Sequence, residues 1–161
     1  LERIVATKIR LLLTNDPALP ALAALMEEMQ AHYQVPCPSR AEIIAGLKAM
    51  PQGAEILIVE ENDATLGFAA FSGIYPGPGL KPGIFLKELF VSAAQRSRGL
   101  GRDLMRALAE LAQERGLARI DWTADPENAR LLDFYDGLGG TRKPDKLFYR
   151  LDGKALEELT I

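Results

Sequence analysis

Cysteine and histidine are almost missing: in 161 residues there is one of each, Cys37 and His32. A lone cysteine excludes an intrachain disulfide, and with a lone histidine it excludes a Cys/His zinc site. No run of 18 apolar residues occurs, and Leu1-Glu2-Arg3-Ile4 lacks the pattern of a signal peptide. An excess of positive charge is missing too. The net charge is −3, whereas dedicated nucleic-acid binders carry a basic face. These absences predict a cytoplasmic protein with no metal, no nucleic-acid partner and no membrane association. What is present, 48% hydrophobic and 25% charged residues, is the composition of an ordinary globular protein, and its length predicts a single domain over residues 1–161.

The element pattern is that of a mixed α/β chain. Val5, Thr7, Ile9 and Leu11 alternate with their neighbours as in a strand, and Asn15-Asp16-Pro17 ends it and supplies a cap. A helix is expected over residues 18–33, with Leu22, Leu25, Met26 and Met29 on one stripe. Ser39 and Glu42 then form a capping box for a second helix reaching about residue 50. Residues 54–60 and 65–71 flank Glu61-Asn62-Asp63-Ala64 as a hairpin. The Pro/Gly stretch over residues 75–83 is a loop, and a strand follows over 84–91. Leu100, Leu104, Leu108 and Leu111 mark a long helix that Gly116 ends. A short strand over 119–123, a helix over 128–138, a last strand over 146–151 and a tail helix complete the order. Such an order predicts a mostly antiparallel sheet of about six to seven strands and about four helices, with a parallel crossover through the long helix.

The chemistry concentrates where the strand ending at Val91 passes through a polar loop into the long helix. A helix start leaves about four N–H groups unpaired and carries partial positive charge. Gly99 and Gly101 let a phosphate approach those groups, and Arg96, Arg98 and Arg102 stand beside them. The segment therefore reads as a pyrophosphate site. A P-loop is excluded, because Gly-x4-Gly-Lys-Ser/Thr is absent. A dinucleotide-binding turn has Gly99, Gly101 and Asp121 in its favour, but Leu104 occupies the third glycine position and seven residues separate Val91 from Gly99. A glycine-rich helix start with a solvated basic face is the plain structural alternative.

Arg96-x-x-Gly99-x-Gly101 resembles the Gln/Arg-x-x-Gly-x-Gly/Ala signature of the GNAT superfamily of acetyltransferases. The run from Asn128 through Tyr135 to Leu138-Gly139 resembles that family's second motif. Within the family, Phe85-Leu-Lys-Glu-Leu-Phe-Val91 and the segment from Lys146 are similar to the spermidine/spermine (diamine) acetyltransferase group, with Lys87 standing where that group places the first of two adjacent acids. The resemblance implies a GNAT-like sheet whose parallel crossover forms the acetyl-CoA site. It also implies acetyl transfer from acetyl-CoA, as co-substrate and without a metal, to a primary amine in a ternary complex, and a homodimer. Residues Arg96, Ser97, Arg98, Gly99, Leu100, Gly101 and Arg102 would hold the pyrophosphate. Leu89, Phe90 and Val91 would offer backbone groups to the pantetheine arm, and Asn128 would contact the coenzyme. The acidic first half favours a small cationic amine. A protein lysine or N-terminus is the alternative acceptor, and a non-catalytic CoA-binding regulatory protein is the rival from another class.

Two catalytic roles follow. Tyr135 is the candidate acid that protonates the departing thiolate, as the family match implies. As plain structure it is a core aromatic beside Leu131, Leu132, Phe134 and Leu138. Glu88 is the candidate base for an amine that is about 0.1% neutral at pH 7.4, or else a strand acid paired with Lys87 or Arg119. Asn128 also fits an N-cap. His32 and Cys37 invite a nucleophile, but no orienting group accompanies them, and surface roles are the better fit.

Overall fold

The computed structural model describes residues 6–161; Val5 and residues 1–4, read above for a strand and for a leader, lie outside them. The chain divides into two compact units, Leu1–Thr123 and Ala124–Ile161. The first runs β1 (Lys8–Leu11), α1 (Leu19–Tyr33), α2 (Arg40–Lys48), β2 (Ala54–Glu61), β3 (Ala64–Ile74), β4 (Gly83–Val91), α3 (Leu100–Glu114) and β5 (Ile120–Trp122). The second holds α4 (Ala129–Gly137) and α5 (Gly153–Glu158). Among the described residues no helix is long and apolar enough to cross a membrane.

The five strands form one sheet in chain order, antiparallel from β1 to β4 and parallel between β4 and β5. The buried run Ile56-Leu57-Ile58-Val59 of β2 shows that both sheet faces are covered. Ile56, Ile58, Phe68 and Phe90 pack with Leu19, Leu22 and Leu25 of α1 and Leu47 of α2. By alternation Leu57, Val59 and Ala69 point the other way, where α3 lays Leu100, Leu104 and Leu108 over β2, β3 and β4. Gly67 permits close approach of β3 and β4, because a Cβ there would stand 2.9 Å from the Phe90 carbonyl oxygen.

Local signals account for the element ends. Ser39 Oγ accepts from the Glu42 amide at 3.2 Å and the Glu42 carboxylate accepts from the Ser39 amide at 2.8 Å, the reciprocal box expected. Asn62 and Asp63 both have positive φ, 50° and 63°, as a tight hairpin turn requires. Gly116, at φ 68°, ends α3.

One expectation needs correction. Residues 146–151 form no ladder, so among the described residues the sheet has five strands and not six or seven. The pattern there, with Leu147, Phe148 and Tyr149 consecutive, has no clean period of two. A β-prone sequence states a side-chain preference but cannot supply the neighbouring strand. Asn15-Asp16-Pro17, expected to end the strand and supply a cap, does precede α1: the residue directly before the helix is Ala18, without a side-chain bond of its own, and its amide donates to Asp16 Oδ1 at 2.9 Å.

Asp16 also serves as a buried anchor. Its side chain is fully buried, accepts from both guanidinium nitrogens of Arg10 at 2.5 and 2.8 Å, and accepts from the Leu13 and Ala18 amides at 2.9 Å each. Arg10 reaches Glu60 as well, at 2.6 Å, which ties β1, β2 and the entrance to α1 together. Bonding to Arg10 holds the Asp16 carboxyl well below its usual range against the opposing pull of desolvation. The stabilisation is therefore complete above the unfolded value of about 3.9 and is lost as pH falls toward the folded one. Asp16→Asn should cost about 3 kcal/mol in urea unfolding at pH 7, and below pH 4 the deficit should shrink as the native protein loses the same charge.

Candidate functional site

The site in the first unit begins with a change of phase in β4. Ala70 of β3 pairs with Glu88 and Phe71 pairs with Leu86, leaving Lys87 as the extra residue of a β-bulge. Ala70 and Phe71 point to opposite sheet faces, so their partners do as well. Leu86 is buried on the α3 side, and Glu88 emerges on the α1 side. Beyond the bulge β4 also loses its other neighbour. Its parallel ladder with β5 consists of three pairs, Ile84↔Ile120, Phe85↔Asp121 and Leu86↔Trp122. From Lys87 to Val91, including the predicted Leu89, Phe90 and Val91, the strand has no ladder partner on the β5 side among the described residues.

The strand leads into a loop of unusual backbone. Ser97 and Gly99 both have positive φ, 68° and 78°, and Gly99 is the N-cap of α3 without a side-chain cap. The amides of Leu100, Gly101 and Arg102 precede the first i→i−4 bond, which Asp103 makes to Gly99 at 3.0 Å. Successive amides around left-handed residues at a helix start form a concave donor set suited to an anion. Arg102 is exposed on the first turn. The other two arginines are engaged. Arg96 lies with its guanidinium carbon 5.7 Å from the Phe90 ring centroid and donates through Nε to the Val91 carbonyl at 3.3 Å. Arg98 donates to Gln95 Oε1 and to Glu61 Oε2, each at 2.6 Å.

Glu88 pairs with Lys87 at 3.6 Å, and Arg119 pairs with Asp121 at 3.1 Å. Two neighbours of this region were not expected from sequence. Tyr33 ends α1, and burial together with the charge of Glu88 pushes its phenol above the usual value, with Arg96 opposing. Glu28, on the preceding turn, accepts from Ser92 Oγ at 3.0 Å and so ties α1 to the start of the loop that enters α3. Helical periodicity shows that Glu28 and His32 share a face, but it does not name the strand they meet. The His32 ring lies 6.1 Å from that of Phe90, whereas the exposed Cys37 thiol donates to the Pro38 carbonyl at 3.3 Å.

In the second unit, Asn128 is the N-cap of α4, its Oδ1 accepting from the Leu131 amide at 3.1 Å. The structural alternative for Asn128 is therefore realised, and its side-chain amide nitrogen remains a donor for other use. Tyr135 is half-buried on α4, its ring 5.4 Å from that of Phe134.

The acetyltransferase (GNAT) family profile matches residues 22–139. The chain is 25% identical over 146 residues to the L-ornithine N5-acetyltransferase NATA1 of Arabidopsis thaliana, covering 91% of this chain and 59% of that enzyme. It is 28% identical over 111 residues to a thialysine N-epsilon-acetyltransferase of Caenorhabditis elegans, covering 61% of this chain and 69% of that one. The chain thus spans about three-fifths of the length of the plant relative. Among solved structures, the V. cholerae integron cassette protein VCH_CASS6 superposes with a TM-score of 0.86 at 27% identity, over 96% of this chain and 97% of that one. The aminoglycoside N-acetyltransferase AAC(6')-Iy, solved with CoA, has a TM-score of 0.75 at 21% identity over 93% and 97% of the two chains, a likeness of fold. The profile covers most of the chain, and the protein belongs to the acetyltransferase (GNAT) family.

Proposed function

We propose that the protein transfers an acetyl group from acetyl-CoA to the primary amine of a small cationic molecule. The carrying observation is the parting of β4 from β5 after Leu86, continuous with the loop of left-handed residues that opens onto α3. The bare strand edge suits a chain of two amides, which pairs much as an added strand does. The amides of residues 99–102 suit a diphosphate. Names of relatives favour an acceptor with an alkyl amine, since those proteins are described as acting on ornithine and thialysine.

In this mechanism the amine loses its proton to Glu88, directly or through water, and the neutral nitrogen attacks the thioester carbonyl carbon. The C–N bond forms, the C–S bond breaks, and the Tyr135 phenol protonates the departing thiolate; the second proton lost by the acylated nitrogen restores the phenol, and Glu88 releases the proton it took to solvent. Glu88 stands on the α1 face beside Tyr33, where a cation would meet a carboxylate and an aromatic ring. Binding of the donor before the acceptor, direct transfer without an acyl-enzyme, and the part played by Asn128 complete the proposal.

We also infer that two copies of the chain associate. Leu147, Phe148 and Tyr149 are 78%, 63% and 85% exposed in a segment with no ladder. Exposed apolar residues of that density mark an interaction surface, and a symmetric pair of copies is the commonest occupant. Light scattering should give twice the mass of the chain, and Phe148→Asp should return it to the monomer mass.

Thiol release measured with acetyl-CoA and a panel of diamines and basic amino acids tests the activity. Turnover on at least one of them is expected, while CoA binding without turnover on any amine would favour the regulatory alternative. Tyr135→Phe should lower kcat roughly 100-fold and leave KM for acetyl-CoA within about a factor of two. Unaltered turnover at every pH would remove Tyr135 from the mechanism. Glu88→Gln should cut kcat/KM for the amine about 10- to 100-fold at pH 7. The deficit should narrow as pH approaches the amine's own value of about 10.4, where no base is required. A deficit constant with pH would exclude Glu88 as the base.

A further inference from the structure

Arg98 is one of three arginines in the cofactor loop, and its position in sequence makes it an obvious partner for phosphate. Its side chain is already committed. One terminal nitrogen donates to Gln95 Oε1 and the other to Glu61 Oε2, both at 2.6 Å. Glu61 is the last residue of β2, immediately before the left-handed pair Asn62-Asp63, and its side chain is 23% exposed against 40% for Arg98. The planar guanidinium therefore bridges the loop to itself and to the turn between β2 and β3.

The residue between the two engaged arginines needs such support. Ser97 has φ 68°, a left-handed conformation that is unfavourable for a residue with a Cβ. It persists where the surroundings hold it. On one side Arg96 donates to Val91, closing the turn back onto β4, and on the other Arg98 is fastened to β2. Between these two ties and the first turn of α3 lie the amides that face an anion.

We propose that Arg98 and Glu61 form a positioning pair that holds the loop in its anion-binding shape, and that Arg98 is not itself a phosphate ligand. The inference rests on the acetyl-CoA site proposed above and deepens it. Its consequence has a sign. If Arg98 met the diphosphate directly, neutralising Glu61 would release a competing anion and tighten CoA. If the pair anchors the loop, the same change loosens CoA, even though it removes a negative charge near an anionic ligand.

Calorimetric titration of the full chain with CoA separates the two. Glu61→Gln should weaken CoA about three- to fivefold, the size expected for one exposed but well-aligned ion pair. KM for acetyl-CoA should rise in parallel, with kcat at saturating donor and the melting temperature unchanged, a split that a merely structural defect would not produce. Arg98→Lys keeps the charge but loses the two-pronged bridge, and should weaken CoA to a similar degree. The double variant should be no worse than either single one. Unchanged or tighter CoA in Glu61→Gln, or native affinity in Arg98→Lys, would overturn the pairing role. Failure of the native protein to bind CoA would overturn the acetyl-CoA reading itself, and with it the inference.

Discussion

The site depends on β4 having a neighbour at one end and none at the other. A strand inside a sheet satisfies its amides and carbonyls on both sides, and β4 does this only as far as Leu86. Past the bulge at Lys87 it keeps β3 and loses β5. An opening between parallel strands would ordinarily be a defect, with polar backbone left without partners. Here the exposed backbone of β4 continues directly into Ser92 and the loop that starts α3. Strand edge and helix start thus offer two sets of main-chain groups, separated by the turn in which Arg96 bonds the Val91 carbonyl and Gln95 bonds Ser92; the proposed ligand of amides and phosphates would suit the two in turn.

Charge around that series is distributed more sparingly than the arginine count suggests. Arg96 packs on Phe90 and Arg98 is paired with Glu61, so much of the side-chain cation density is spent within the protein. In the proposed site, main-chain donors and the helix dipole would then carry most of the attraction for an anion. These have a practical advantage: they are fixed by the fold and need no side-chain ordering on binding. On the other face of β4, the bulge sets Glu88 toward α1 and Tyr33. One inserted residue, next to the last pair of β4 with β5, thus brings the acid Glu88 onto the α1 face.

Stability and site share supports. Phe90 belongs to the buried core with Leu22 and Phe68, while its backbone lies on the bare edge and its ring carries Arg96. Glu28 fastens α1 to the loop through Ser92, and Arg10 with Asp16 fastens α1 to the first two strands. The loop is therefore tied to the packed layers on either side of the sheet. Its own apolar anchor is Leu100, which is buried at the start of α3.

Local order was legible in the sequence because it rests on local physics. The capping box at Ser39, the hairpin at Asn62-Asp63, the stop at Gly116 and the stripe of α3 each need only neighbours within a few residues, and each stands where expected. The glycine pattern entering α3 and the Asn128 to Tyr135 run disclosed the family for a similar reason: tight backbone chemistry leaves few residue choices. Tertiary structure alone decided the rest. It made Asp16 a buried anchor as well as a cap, because Arg10 and Glu60 converge from separate strands. It left residues 146–151 without a ladder, since pairing requires a neighbour that no local pattern supplies. It placed Lys87 in a bulge and turned Arg98 toward Glu61, 37 residues away along the chain. Register and long-range pairing depend on which strands meet, and that is settled only when the whole chain has packed.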